Sequence, residues 1–75
     1  MQNDLLSSFG AAIRHYRNEL KISQEKLASE CSFHRTYIGQ IERGERNPSL
    51  KNIKVFADYF KIPLSILFKT MEEKY

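Results

Sequence analysis

Residues 23–50 decide the fold of this chain and read SQEKLASECSFHRTYIGQIERGERNPSL. The stretch holds two short helical patterns, separated by a polar turn at Ser32-Phe33. Ser23 can cap the first pattern, and Gly44 follows the second at the point where a left-handed residue ends a helix. The two patterns therefore predict a pair of helices joined by a tight turn.

Helical patterns continue on both sides of this pair. We expect five helices, the first after a cap at Asn3 or Asp4, over about residues 4–21, 24–31, 34–43, 50–61 and 64–70. The apolar residues expected to face inward are Leu5, Leu6, Phe9, Ala12, Ile13, Tyr16, Leu20, Leu27, Ala28, Cys31, Ile38, Ile41, Leu50, Ile53, Phe56, Ala57, Phe60, Leu64, Leu67 and Phe68. Gly10 interrupts the first helix at a cost of about 1 kcal/mol against alanine, which predicts close packing there. The sequence therefore predicts a compact all-α fold, with residues 1–75 as a single domain and residues 72–75 frayed.

The composition favours a small folded protein with an anionic partner. The 75 residues allow one modest core, and 41% hydrophobic content argues against a disordered chain. The net charge is +3, with nine basic and five acidic residues in 14–54 but three of each in 55–75. The positive excess therefore lies with the helix pair, although ordinary scatter of surface charge is an alternative explanation.

The sequence lacks the residues that several classes of protein function require. Cys31 is the single cysteine, so no internal disulfide can form, and a secreted protein of this size usually needs one. No apolar run approaches the ~20 residues of a membrane span, and the first residues do not resemble a secretory leader. His15, His34 and Cys31 lack metal-ligand spacing, and no nucleophile–base pair or glycine-rich phosphate loop is present. We therefore expect a cytoplasmic binding protein and no enzyme, with no cofactor, metal, membrane or small-molecule ligand.

The second helix of the pair begins with side chains that can bond DNA bases. Arg35 can donate two parallel hydrogen bonds to guanine O6 and N7, and Thr36 can bond a base edge or touch a thymine methyl. Gln40 lies one turn after Thr36 and therefore on the same face. A helix that enters a DNA groove presents its readers at this end. The alternative for Arg35 is a solvated surface charge.

The whole pattern resembles the lambda-repressor-like, Cro/XRE-type helix-turn-helix proteins over about residues 5–70. The motifs that carry the resemblance are Ser23-Gln24-Glu25 with Leu27-Ala28, Tyr37-Ile38 with Ile41-Glu42-Arg43-Gly44, Pro48-Ser49-Leu50, and Leu67-Phe68. Within it, residues 34–47, HRTYIGQIERGERN, are similar to the recognition segment of controller proteins of restriction-modification systems. Those proteins are small homodimeric regulators that bind paired operators and time the expression of the endonuclease gene.

The resemblance implies roles for individual residues. It implies base contacts from Arg35, Thr36 and Gln40. Arg17 and Glu42 would form an ion pair that fixes the angle of the reading helix. Together with the chemistry of their side chains, it predicts phosphate contacts from Ser23, Gln24, His34, Tyr37, Arg43, Arg46 and Asn47. A capping serine, solvated loop charges and plain packing of the ring side chains are the alternatives for these residues.

Apolar residues outside the predicted core indicate a second surface. Val55, Tyr59 and Ile66 should face outward, and neighbouring outward apolar residues suggest an interface that a two-fold dimer would use twice. Scattered surface apolar groups are the alternative. The expected function is a sequence-specific DNA-binding transcription regulator, the controller of a restriction-modification system, that binds palindromic operators as a homodimer. A phage-type repressor, an antitoxin-type regulator on the same fold, or a protein–protein adaptor are the alternatives.

Overall fold

The computed structural model describes residues 4–75 and contains five helices within that range. They are α1 (Asp4–Glu19), α2 (Gln24–Cys31), α3 (Arg35–Glu42), α4 (Leu50–Phe60) and α5 (Leu64–Lys74). The predicted all-α fold of five helices is thus confirmed. The alternative cap at Asn3 lies outside the described residues.

Capping residues define the helix pair and the start of α4. The Ser23 hydroxyl accepts a hydrogen bond from the Lys26 amide at 3.0 Å, and the Ser49 hydroxyl accepts one from the Asn52 amide at 3.1 Å. Each bond satisfies a first-turn amide that has no partner within its helix. After α3, Gly44 takes the left-handed conformation with φ +74°, as predicted.

The five helices surround one cluster of buried apolar side chains. Its members are Phe9, Ala12, Ile13, Leu27, Ala28, Ile38, Ile41, Phe56, Ala57, Leu67 and Met71. The inward placement predicted for Leu5, Leu20 and Leu50 is wrong, since all three are exposed, Leu50 at 69%. Leu5 and Leu50 lie in the first turn of their helices and Leu20 follows the last residue of α1, so these side chains extend past the ends of the core.

The last turn of α5 is helical, which corrects the predicted end at about Thr70 and the predicted fraying of residues 72–75. Met71 is buried in the core. The Ser8 hydroxyl donates to the Tyr75 carbonyl oxygen at 3.0 Å, and the Tyr75 ring lies 6.1 Å from the His15 ring. Contacts with α1 therefore hold a turn that its own polar sequence does not predict.

Helix α1 crosses the end of α3 at Gly10 with almost no space between the two backbones. A Cβ atom at Gly10 would lie 2.7 Å from the carbonyl oxygen of Glu42 and would also meet that of Ile41. The close packing predicted at Gly10 is confirmed. Because backbone contacts backbone here, the crossing fixes where α3 ends relative to α1.

Candidate nucleic-acid interface

Helix α3 has one buried face and one exposed face. Ile38 and Ile41 lie in the core at 0% and 1% exposure. Arg35 and Thr36 are exposed on the other side, and Gln40 is half-buried one turn later. The spacing of the two isoleucines therefore turns the three predicted base readers toward solvent.

The turn between α2 and α3 is anchored by Phe33. Its ring lies 5.3 Å from Phe56 and 4.9 Å from Tyr37, and its amide donates to the Ala28 carbonyl at 2.8 Å. His34 occupies the cap position of α3, is exposed, and makes no side-chain capping bond. The anchored turn therefore leaves His34 at the surface beside the start of α3.

The carboxylate of Glu42 joins three helices. Glu42 is 3% exposed, and its carboxylate accepts hydrogen bonds from Arg17 Nε at 2.6 Å and Arg17 Nη2 at 3.0 Å. Gln24 Nε2 donates to the same carboxylate at 3.0 Å, and Arg17 Nη1 donates to the Ile22 carbonyl at 2.8 Å. The structure thus brings together the predicted pair of Arg17 and Glu42 and adds Gln24, so one carboxylate links α1, α2 and α3.

Arg14 also contacts Glu42, which the sequence reasoning missed. Its Nη2 donates to the Glu42 carbonyl oxygen at 2.9 Å, and its Nε lies 3.6 Å from the carboxylate. A cation at the carboxyl end of a helix bonds an orphan carbonyl and opposes the negative end of the helix dipole. The available signal was spacing, since Arg14 and Arg17 are three residues apart on one face of α1.

Two of the predicted base readers, Arg35 and Thr36, border a concave surface together with Gln24. Gln24, Arg35, Thr36, Gly39 and Arg43 line it together. A Cβ atom at Gly39 would lie 3.1 Å from Arg43 Nη1 and 3.7 Å from Gln24 Oε1. The missing side chain at Gly39 therefore leaves room between Gln24 and Arg43.

The two loop arginines are both bonded to neighbouring side chains. Arg43 donates to the Glu45 carboxylate at 2.9 and 3.2 Å, and this hydrogen bonding raises the pKa of Arg43 and lowers the pKa of Glu45. Arg46 Nη1 donates to Gln40 Oε1 at 2.9 Å, and its guanidinium lies 5.1 Å from the centre of the Tyr37 ring. Asn47 is exposed in the same loop. When a phosphate approaches, some of the N–H donors of each guanidinium are therefore already bonded to Glu45 or to Gln40.

Tyr37 has a partner on α4 that the sequence reasoning missed. Asn52 Nδ2 donates to the Tyr37 hydroxyl oxygen at 3.0 Å. The hydroxyl accepts this bond, so its own hydrogen can be donated to another group. Nothing in the sequence links these two positions, because they meet only when α4 packs beside α3.

The predicted dimer residues are more buried than expected. Ile66 is 41% exposed, while Val55 and Tyr59 are half-buried. Val55 and Tyr59 are four residues apart on one face of α4, and desolvation by burial raises the pKa of Tyr59. These three residues, called here the α4–α5 patch, are therefore apolar but only partly open to solvent.

The remaining chemistry of the described residues is sparse. Cys31 is half-buried, and desolvation together with the nearby Glu30 charge raises the pKa of its thiol to about 11, so it stays protonated at neutral pH. Among residues 4–75, no group of three histidine, cysteine or acidic side chains could hold a metal ion. No helix within the same range is long and apolar enough to cross a membrane.

Comparison with protein families gives a match over the helix pair and most of its surroundings. Residues 13–67 match the model of the helix-turn-helix family called HTH_3. The chain is 53% identical over 55 residues to the control protein C.BamHI of Bacillus amyloliquefaciens. The aligned residues cover 72% of this chain and 68% of that protein.

Two solved structures are similar over almost their whole length. One is the restriction-modification controller protein C.AhdI from Aeromonas hydrophila, with a TM-score of 0.79 and 41% identity over 84% of this chain and 96% of that one. The other is the controller protein C.Esp1396I, solved as a tetramer in complex with its natural 35 base-pair operator. Its TM-score is 0.85, with 29% identity over 96% of this chain and 95% of that one.

Proposed function

Because the chain belongs to the Cro/XRE-type helix-turn-helix family and to its restriction-modification controller proteins, we propose that it is a sequence-specific transcription regulator of such a system. It binds double-stranded operator DNA as a homodimer and acts in the cytoplasm. It carries out no catalysis and uses no cofactor. The names of its relatives support the assignment, and the geometry of α3 supports the mode of binding.

One observation carries the proposal: the exposed side of α3 holds side chains that can bond DNA bases, while Glu42 at the end of the helix is buried and fixed by hydrogen bonds. Arg35, Thr36 and Gln40 face outward. Glu42, at the end of the same helix, is held by bonds from α1 and α2. A helix fixed in this way can enter a major groove as a rigid body, so that its readers meet base edges at a defined angle.

The side chains around α3 are suited to hold the DNA backbone. Phosphate contacts fix register and orientation, and they come from basic, hydroxyl and amide side chains such as those surrounding this helix. The proposed contacts are Ser23, Gln24, His34, Tyr37, Arg43, Arg46 and Asn47. The net charge of +3 favours the same partner.

The homodimer follows from the way such helices read DNA. Two copies related by a two-fold axis place their third helices about 34 Å apart, one turn of the duplex, on a nearly palindromic operator. The α4–α5 patch is the proposed interface, since Ile66 offers exposed apolar surface and Val55 and Tyr59 are partly exposed. The tetramer of C.Esp1396I on its operator is consistent with paired dimers.

Fluorescence anisotropy tests the function directly. Labelled duplex from the chain's own promoter should bind at least about 10³-fold more tightly than random duplex. The affinity should fall by about 10³–10⁵ between roughly 50 and 200 mM salt, because counterions return to the phosphates. Equal affinity for promoter and random duplex would exclude a sequence-specific regulator.

Arg35→Ala should weaken binding to the selected operator by about 1–3 kcal/mol per half-site, because a two-donor contact with guanine is lost. Binding to random duplex should change far less, so the specificity ratio should fall. Lys69→Ala is the matched control, since Lys69 is an exposed cation on α5. A uniform loss for both variants on both duplexes would mean that Arg35 contributes only charge.

Ile66→Asp should weaken the dimer by at least about 1–3 kcal/mol, because each copy would bury a carboxylate without a partner. Sedimentation equilibrium of the protein without DNA measures this directly. Leu50→Asp is the control, because it removes a more exposed leucine that lies outside the α4–α5 patch. Dimerisation that survives Ile66→Asp unchanged would place the interface elsewhere.

A further inference from the structure

Arg46 fixes the orientation of the Gln40 side-chain amide. Arg46 Nη1 lies 2.9 Å from Gln40 Oε1. A guanidinium can only donate hydrogen bonds, so the atom that faces it must be the amide oxygen. The two hydrogens of Gln40 Nε2 are therefore left to bond a partner outside the protein.

One further contact of Arg46 and one backbone bond of its neighbour support this position. Its guanidinium lies over the Tyr37 ring at 5.1 Å, within the range of a cation–π contact. The amide of its neighbour Glu45 donates to the Gln40 carbonyl at 2.8 Å, which ties the loop to the end of α3. The contact between Arg46 and Gln40 is thus supported by the Tyr37 ring and by the backbone bond from Glu45 to Gln40.

This arrangement changes which base Gln40 can read. A glutamine reads adenine with its oxygen and its nitrogen together, accepting from N6 and donating to N7. Here the oxygen already accepts from a cation, and an N6 amino group would have to approach beside that positive charge. Guanine instead offers two acceptors, O6 and N7, to which both side chains can donate.

We propose that Gln40 and Arg46 act as one composite, donor-only reader that selects guanine over adenine in the major groove. The inference rests on the proposed function, because it needs α3 in that groove. In this proposal Arg46 determines specificity by positioning Gln40, in place of the phosphate contact proposed for it above. The adjoining concave surface, which Thr36, Gln40 and Arg46 all line, gives a base edge access to both side chains.

Selection of bound sequences from random duplex tests the proposal with the wild type and two variants. Gln40→Ala identifies the base pair that Gln40 reads, since the preference is lost there. The wild type should select guanine at that pair. Arg46→Ala frees the amide oxygen and should move the guanine-to-adenine ratio at that pair toward adenine by at least about fivefold.

Arg43→Ala is the matched control. Arg43 is also an exposed arginine beside α3, but it is bonded to Glu45 and not to a reader. This variant should weaken binding to all sequences alike and leave the preference at the Gln40 base pair unchanged.

Three results would overturn the inference while leaving the proposed function intact. They are a wild-type preference for adenine at that pair, no change at any pair in Gln40→Ala, and a uniform loss of affinity in Arg46→Ala with an unchanged preference. A wild type that selects no sequence at all would overturn the proposed function, and the inference with it.

Discussion

Glu42→Ala is expected to lower the free energy of unfolding by about 3–5 kcal/mol, as measured by urea denaturation followed by circular dichroism. The carboxylate is buried and receives two bonds from Arg17, whose side chain is only 14% exposed. Its removal leaves this guanidinium partly desolvated, without the charge that offsets the cost of burying it. Small domains have only about 5–15 kcal/mol of stability, so most of it should be lost.

The chain contains a control for this prediction in its second bidentate arginine–glutamate pair. Arg43 and Glu45 make bonds of comparable length, but both side chains are more than half exposed. Glu45→Ala should leave the urea midpoint unchanged, because solvent already screens that pair. Equal urea midpoints for Glu42→Ala and Glu45→Ala would show that the burial of Glu42 contributes nothing to the stability of the fold.

Gly10→Ala is expected to destabilise the protein, although alanine is the better helix former. Helix propensity alone would favour alanine by about 1 kcal/mol. The new methyl group would lie 2.7 Å from the Glu42 carbonyl oxygen and 2.9 Å from its carbon, and neither backbone atom can move without separating α1 from α3. We expect a net loss of about 1–3 kcal/mol, the usual cost of overpacking, measured by the same denaturation.

Gly39→Ala provides the comparison, since it makes the same change within α3. There the methyl group would lie 3.1 Å from Arg43 Nη1, the end of an exposed and flexible side chain. Arg43 can shift, so stability should stay equal or rise by up to about 1 kcal/mol. If both substitutions stabilised the protein, the tight crossing at Gly10 would be disproved.

The sequence predicted the features that depend on local chemistry. The serine cap at Ser23 and the left-handed Gly44 both follow from neighbouring backbone groups. The burial of Ile38 and Ile41 follows from their spacing on one helix. The misplaced residues lie where tertiary packing decides: Leu50 is at a helix end, and the last turn of α5 is held by α1.

The residues of the candidate site also divide into those whose placement helical spacing predicts and those that only tertiary packing brings together. Helical spacing predicted that Arg35, Thr36 and Gln40 would share an outward face, and the structure places them there. The bonds of Arg14 with Glu42 and of Asn52 with Tyr37 join residues 28 and 15 positions apart. Such pairs form only when helices pack against each other. The spacing of Arg14 and Arg17 places both on one face of α1, but no periodic signal pairs Asn52 with Tyr37.

Arg35 and Thr36 are exposed and stand apart from the bonds that hold Glu42, which join it to residues of α1 and α2. Substitutions at these two proposed readers can therefore accumulate without unfolding the protein. Descendants of one gene could diverge to different operators on an unchanged scaffold, and two such regulators could then control separate promoters within one cell.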